Sequence, residues 1–371
     1  YAANPGKLMM PASTLKVVTL AAAGERLGWD YAYETRLVAD GTVDRDTLNG
    51  NLVIVASGDP SLNRPTLDAW AAQIRMLGIA TVTGTVLADA RAFAGERLGA
   101  GWSWDDLAYY YAAPIAAAQY RENAVDLTVR PGATVGSPAI YELNPPDVSG
   151  VRIENRMTTG ASIAAPEFVA RRAANSSLVV IEGVVPAGSR PAVRPLSVHD
   201  PVRYLAAAFS EALAAAGVAV GAPPPADANA DASRDYSGAT VLLTHHSEPL
   251  SMLARRFMVD SQNQYGETLL KTMGAQAGTP TFDGGVKAVE TVLEAWGIPA
   301  EGTALRDGSG LSRYNYLAPE TLVQVLTRMF RDPAQSDSFL TALALVGRTG
   351  TVAGRMRNTP AAGRVRAKDG S

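Results

Sequence analysis

The texture of this chain changes twice, and that limits the folds open to it. Residues 13–27 carry a helical pattern, with Leu15, Val18 and Ala22 on one face, Ser13 as its cap and Gly28 just past its end. From Trp29 to about Val198 the chain is rich in strands and loops. Stretches 33–38, 50–56, 81–88, 123–129 and 178–185 read as strands, with Asp40-Gly41 as the turn between the first two. A short helix is expected over 67–77 and a longer one over 200–216, with Pro201 in its first turn and Gly217 at its end. Residues 221–238, rich in Ala, Pro and Asp, read as a linker. After Thr244 the pattern is helical again, over 249–273, 284–296 and 319–331. In the last of these, Leu322, Val325, Leu326 and Met329 form a core-facing stripe. A helical start, a β-rich middle and a helical end predict one domain interrupted by another. The expected fold is multidomain α/β, with residues 1–28 and 242–371 forming one domain. Residues 29–241 form an inserted β-rich region of two subdomains, the second roughly 140–195.

Composition narrows the function classes. With 371 residues, 47% hydrophobic and 19% charged, the chain is globular rather than disordered. A net charge of −3 and no basic stripe argue against a nucleic-acid binder. No apolar run reaches membrane-spanning length. The absence of cysteine excludes disulfides, thiol catalysis and zinc–thiolate sites. His199, His245 and His246 are the only histidines, and two adjacent residues on a strand point to opposite faces. No metal site and no cofactor are expected.

Chemistry is signalled by three short motifs in order. Ser13 and Lys16, in Pro11-Ala12-Ser13-Thr14-Leu15-Lys16, lie one helical turn apart on one face. Serine is a weak nucleophile until a base takes its proton, and a lysine kept neutral by burial or a neighbouring cation can be that base. Most Ser-x-x-Lys matches are only a helix cap followed by a surface lysine. The further motifs raise the odds: Ser261-Gln262-Asn263, and Lys368-Asp369-Gly370-Ser371 after a strand candidate at 364–367. Ser-x-x-Lys, Ser-Asp-Asn and Lys-Thr-Gly form the motif set of penicillin-binding proteins and class A β-lactamases, and three similar elements appear here in that order.

Longer stretches sharpen this. Pro11–Lys16, Ser57-Gly58-Asp59-Pro60, Ser261-Gln262-Asn263 with Glu267, and the run Asp307-Gly308-Ser309-Gly310-Leu311-Ser312-Arg313 carry the likeness. Together they resemble the D-alanyl-D-alanine carboxypeptidase/endopeptidase family with large inserted domains, the low-molecular-mass class C penicillin-binding proteins. The wide gap between Lys16 and Ser261 leaves room for such an insertion, which simple β-lactamases lack. The resemblance implies a β-lactamase/transpeptidase-like domain, split in sequence, whose sheet is incomplete at both ends of this chain. It implies a periplasmic or extracytoplasmic hydrolase acting on peptidoglycan stem peptides and acylated by β-lactams. In that reading Ser13 is the nucleophile, Lys16 the base and Ser261 a proton relay. Asn263 holds Lys16 and the substrate amide, and Lys368 serves the substrate carboxylate. Asp369, Gly370 and Ser371 line the substrate, with backbone N–H groups of Ser13 and Ser371 as the oxyanion hole.

One residue departs from that pattern. The family's third motif carries threonine or serine where this chain has Asp369, and an ionised carboxylate cannot donate to a substrate carboxylate. Two alternatives therefore stand beside the carboxypeptidase: a β-lactamase or esterase with the same Ser–Lys machinery, and a catalytically impaired cell-wall binding protein. Elsewhere the plainer readings are favoured. Trp102, Trp104 and Tyr109–Tyr111 are expected in an apolar satellite core. Asp307–Ser312 is expected to be a turn behind the site, and Glu267 a salt-bridged or solvated helix residue. Arg121 and Glu122 leave stem-peptide specificity open.

Overall fold

The structure, a computed structural model, describes residues 3–146, 148–230 and 235–370. It is a mixed α/β multidomain fold with several sheets. The helices are α1 (Leu15–Leu27), α2 (Arg64–Met76), α3 (Pro201–Ala215), α4 (Leu250–Val259), α5 (Asn263–Gln276), α6 (Phe282–Ala295), α7 (Pro319–Arg331) and α8 (Ser336–Ala342). Among the described residues no helix is long and apolar enough to cross a membrane.

The chain forms two compact units. The first comprises Tyr1–Glu34, Ala92–Trp102 and His246–Ser371; the second comprises Thr35–Arg91 and Ser103–His245. Residues Ala92–Trp102 thus return to the first unit from within the stretch read as one insertion. One cause is α5, where buried Lys271 donates to the carbonyl oxygens of Ala94 at 3.1 Å and Glu96 at 2.7 Å.

In the first unit α1 is central. Every residue from Leu15 to Gly24 is buried, so the helix is enclosed on all sides rather than amphipathic with one inward face. The one short polar residue among them, Thr19, is satisfied by donating to the Gly308 carbonyl at 2.7 Å. Gly28 closes the helix at φ +81°. Residues 249–273, read as one helix, are two. The break falls at Asp260–Gln262, with Ser261 at φ +58°. The α7 stripe is also narrower than expected: Thr321, Val325 and Met329 are buried, whereas Leu326 is exposed.

In the second unit the largest sheet is built on a long antiparallel hairpin, Glu34–Asp44 with Thr47–Val55. Asp40-Gly41 is not its turn. Gly41 lies mid-strand opposite Gly50, and the chain reverses at Arg45-Asp46, with Arg45 at φ +53°. Two three-stranded sheets follow, one from Ala124–Arg130, Ile140–Asn144 and Ala192–Ser197, the other from Arg152–Gly160, Glu167–Arg171 and Leu178–Pro186. Helix α3 begins as its sequence dictates: Asp200 accepts from the N–H groups of Val202 and Arg203, Pro201 occupies the first position, and Gly217 follows at φ +78°. Trp104 is exposed, not part of an apolar core, whereas Trp102 is buried in the first unit. His245 lies 3.6 Å from the buried Asp59 carboxylate and edge-on to Trp70.

Candidate active site

A tight 3₁₀ turn, Ala12–Thr14, leads into α1 and carries Ser13. Ser13 does not cap the helix, which has no side-chain cap at all. Its hydroxyl points instead to the lysine one turn later: Lys16 Nζ lies 2.9 Å from Ser13 Oγ. Ala12 just before it sits at φ +46°, a strained conformation for a residue with a Cβ.

Lys16 is completely buried, and its amine has three partners. Besides Ser13 these are Asn263 Oδ1 at 2.7 Å and the Ser309 carbonyl oxygen at 2.9 Å. Both of the latter are acceptors only. A neutral amine has two N–H bonds and one lone pair, so donating to Asn263 and Ser309 leaves the lone pair facing Ser13 O–H. The electrostatics favour that neutral form. Burial, and then the charge of Lys368, lower the Lys16 pKa to about 7, against the opposing pull of Glu267, Asp307 and Asp369.

One face of α5 supplies the support. Asn263, Glu267 and Lys271 recur every four residues and are all buried. Glu267 is neither solvated nor salt-bridged, contrary to the expectation from sequence. Its carboxylate accepts from the backbone N–H of Gly308 at 2.8 Å and of Ser309 at 3.0 Å. Burial, followed by the nearby Asp307 charge, pushes its pKa well above the usual carboxylate value. The run from Asp307 to Ser312 is a turn, as expected, but it also reaches the site directly through the Ser309 carbonyl. Asp307 ties the turn together, accepting from Gly310 N–H at 2.9 Å, Ser312 N–H at 2.6 Å and Asn315 Nδ2 at 2.7 Å. Trp102 Nε1 adds a fourth bond at 3.0 Å.

The third motif follows a two-residue strand, Arg366–Ala367, paired antiparallel with Ala344–Leu345. This brings Gly370 against the Ser13 turn. A Cβ on Gly370 would lie 2.8 Å from the Pro11 carbonyl oxygen, so any side chain there would push the turn away. The Lys368 side chain is only 1% exposed, and its amine donates to the Asp369 carbonyl at 2.8 Å and to Asp369 Oδ1 at 2.9 Å. Thr351 Oγ1 donates to the same Oδ1 at 2.6 Å. Burial would raise the Asp369 pKa, but the Thr351 and Lys368 bonds outweigh it and hold the carboxyl below its ordinary value.

The structure thus joins Ser13, Lys16 and Asn263 by direct hydrogen bonds and sets Gly370 beside them. Lys368 reaches Lys16 through its charge. No hydrogen bond links the Ser261 hydroxyl to Ser13, Lys16 or Lys368. Ser371 lies outside the described residues. The Ser309 carbonyl and the Glu267 carboxylate take part in positioning, a role the sequence assigns to neither: from sequence Glu267 is expected to be salt-bridged or solvated and Ser309 to lie in a supporting turn. For Ser309 the available signal was the glycine-rich run itself. Among the described residues no group of three His, Cys, Asp or Glu side chains could hold a metal ion.

A serine hydroxyl hydrogen-bonded to a buried lysine of lowered pKa, on a multidomain α/β fold, is the equipment of a serine hydrolase with a lysine base. The chain belongs to the D-Ala-D-Ala carboxypeptidase 3 (S13) family, whose model matches residues 1–371. It is 33% identical over 389 aligned positions to the D-alanyl-D-alanine carboxypeptidase of Actinomadura sp. (strain R39), covering 100% of this chain and 70% of that protein. It is 27% identical to D-alanyl-D-alanine carboxypeptidase DacB of Haemophilus influenzae, covering 99% of this chain and 76% of the relative. The crystal structure of penicillin-binding protein 4 (dacB) from H. influenzae superposes with a TM-score of 0.84 at 26% identity, over 100% of this chain and 81% of that one. The same H. influenzae protein complexed with a novel β-lactam gives a TM-score of 0.77 at 25% identity, covering 100% and 80%.

Proposed function

We propose that this serine-type D-Ala-D-Ala carboxypeptidase works through a Ser13 acyl-enzyme, with Lys16 as the base. The first unit is its β-lactamase/transpeptidase-like domain, and the second is the inserted β-rich region. Ser13 Oγ attacks the carbonyl between two D-alanines of a peptidoglycan stem while its proton passes to Lys16 Nζ. The C–N bond then breaks. We assign the relay of the proton to the departing amine to Ser261, which lies at the helix break two residues before Asn263, at φ +58°. Water, activated by the same lysine, hydrolyses the ester and restores Ser13. Asn263 and the Ser309 carbonyl fix the amine so that its lone pair faces the nucleophile. The Ser13 N–H is one donor for the developing oxyanion. A strained β-lactam amide follows the first half of this course and stops as an adduct. Substrates of this kind place the enzyme outside the cytoplasm, in the periplasm or an equivalent compartment.

The observation that carries the reading is the contact of Lys16 Nζ with Ser13 Oγ at 2.9 Å inside a fully buried amine site. Two measurements test it. Incubation with penicillin is expected to add one drug mass, located by peptide mapping to the segment bearing Ser13. A peptide ending in D-Ala-D-Ala is expected to release D-alanine. An unmodified protein that releases none would refute the assignment, and rapid turnover of nitrocefin would favour a β-lactamase instead.

A further inference from the structure

We infer that Asp369 changes what the leaving-group side of the site accepts. It selects peptides whose leaving residue carries a neutral carboxamide over peptides whose leaving residue carries a free carboxylate. The inference rests on the acyl-enzyme reading above and concerns the substrate class, not the bond-breaking steps.

The argument begins with how the charges at the third motif are already spent. Lys368 is the third motif's own cation, yet two of its three N–H bonds go to Asp369, at 2.8 and 2.9 Å. The Thr351 hydroxyl, the neighbouring donor, gives its proton to Asp369 Oδ1 at 2.6 Å. Those bonds keep the carboxylate ionised, so Lys368 and Asp369 together carry no net charge. The motif lies close to the nucleophile, because Gly370 packs against Pro11, Ala12 and Thr14. An incoming carboxylate would therefore meet an ionised acceptor, a cation already engaged and a hydroxyl already committed. Two acceptors cannot bond to each other, and like charges repel.

A carboxamide fits the same groups. Its NH₂ donates to the Asp369 carboxylate, and its carbonyl accepts the remaining Lys368 N–H. Each group then keeps a partner, and no charge is buried unpaired. The discrimination is of the kind that comes from building a mismatch against the wrong ligand. The covalent step is unaltered: Ser13 Oγ bonds to the acyl carbon, the amide C–N bond breaks, and the amine leaves with the lysine-borne proton.

The experiment uses two peptides with one acyl part, ending in D-Ala-D-Ala as the free acid or as its C-terminal carboxamide. The leaving residue is quantified by chromatography for the parent, Asp369→Thr and Asp369→Asn. The parent is expected to cleave the carboxamide with kcat/KM about tenfold or more above the acid. Asp369→Thr, which restores a hydroxyl donor, is expected to reverse that order, and Asp369→Asn to narrow it. Raising ionic strength is expected to help the parent with the acid but not with the amide, because salt screens only the charged encounter. This arm needs no variant and stands if a substitution spoils folding. A parent that prefers the acid, a ratio unmoved in Asp369→Thr, or equal salt responses would each overturn the inference. Penicillin also carries a leaving-side carboxylate, which slows its encounter on this account without preventing an adduct, so labelling to completion with excess drug separates the two levels of failure. A Ser13 adduct with acid preference, or with neither peptide cleaved, sinks only the role of Asp369. No adduct and no cleavage sinks the acyl-enzyme reading beneath it.

Discussion

Ser13→Ala and Lys16→Met are each expected to reduce kcat/KM for a D-Ala-D-Ala peptide by about 10³-fold or more, in line with the 10²–10⁴ attributed to a positioned base and the larger losses seen when a nucleophile–base unit is broken. The double variant is expected to be no worse than either single one. The reason lies in the contact itself. Ser13 Oγ is hydrogen-bonded to Lys16 Nζ, and the water that Lys16 later activates has an ester to attack only once Ser13 is acylated, so removing one leaves the other idle. Additive losses would show that Lys16 acts on something outside the Ser13 acyl-enzyme cycle. Methionine is the better probe at this position, because it fills the buried volume without leaving a charge. Asn263 Oδ1 and the Ser309 carbonyl would lose a donor, but the protein would no longer bury an amine. The activity should therefore collapse while the fold, followed by circular dichroism, is retained.

The same residue sets a pH dependence whose sign can be worked out. Lys16 acts as a base only when neutral, so kcat/KM should rise with pH through about 7 and then level off. Stability follows from linkage. The folded pKa of about 7 lies below the ordinary lysine value of 10.5, so between those limits the unfolded chain binds more protons than the folded one. The Lys16 contribution to stability is therefore least favourable below about pH 7 and improves as pH rises from 7 towards 10.5. Glu267 works in the opposite sense. Its raised pKa makes its contribution weaken as pH climbs above the ordinary carboxylate value. Melting the parent and Lys16→Met from pH 6 to 9 isolates the lysine: the parent alone should gain from the alkaline shift on this account, and a parallel pair of curves would contradict it.

What could be read from the sequence was what local chemistry decides. Helix α3 is set by Asp200, Pro201 and Gly217, three neighbours whose effects are complete within a turn. Ser13, Lys16 and Asn263 were visible because the chemistry depends on their side chains. The misread features depend on distant partners. Asp40-Gly41 has turn chemistry, yet nine paired positions across the hairpin carry the strand through it. The apolar period that runs from Leu250 to Met273 conceals a helix break, because the residues on either side both face the core. Ser309 contributes a carbonyl, which every residue has, so its type carries no signal. Glu267 looked like a surface carboxylate because nothing local shows that two backbone N–H groups from forty residues away will bury it.

Gly310→Ala is expected to be among the most damaging single substitutions outside the reacting groups, and it tests how the glycine-rich turn holds the nucleophile. Gly310 sits at φ +86°, and a Cβ there would fall 1.9 Å from the Ala12 carbonyl oxygen, next to Ser13. Two costs combine. A left-handed backbone costs a residue with a Cβ roughly 1–2 kcal/mol. The overlap must also be relieved by moving either the turn or Ala12. The turn cannot yield cheaply, because Asp307 clamps Gly310, Ser312 and Asn315 and Glu267 clamps Gly308 and Ser309. Ala12 is the weaker side, already strained at φ +46°, so the nucleophile's own turn should shift. Gly278→Ala is the matched control: it stands at φ +81° with nothing within 4 Å of the added atom, so it bears the backbone cost alone. Both variants should melt below the parent, Gly310→Ala further. Only Gly310→Ala should slow penicillin acylation, by about tenfold or more, since small misplacements of reacting groups are that costly. If both variants acylated at the parent's rate, Ser13 would owe its placement to Lys16 and the third motif, not to the turn at Gly310.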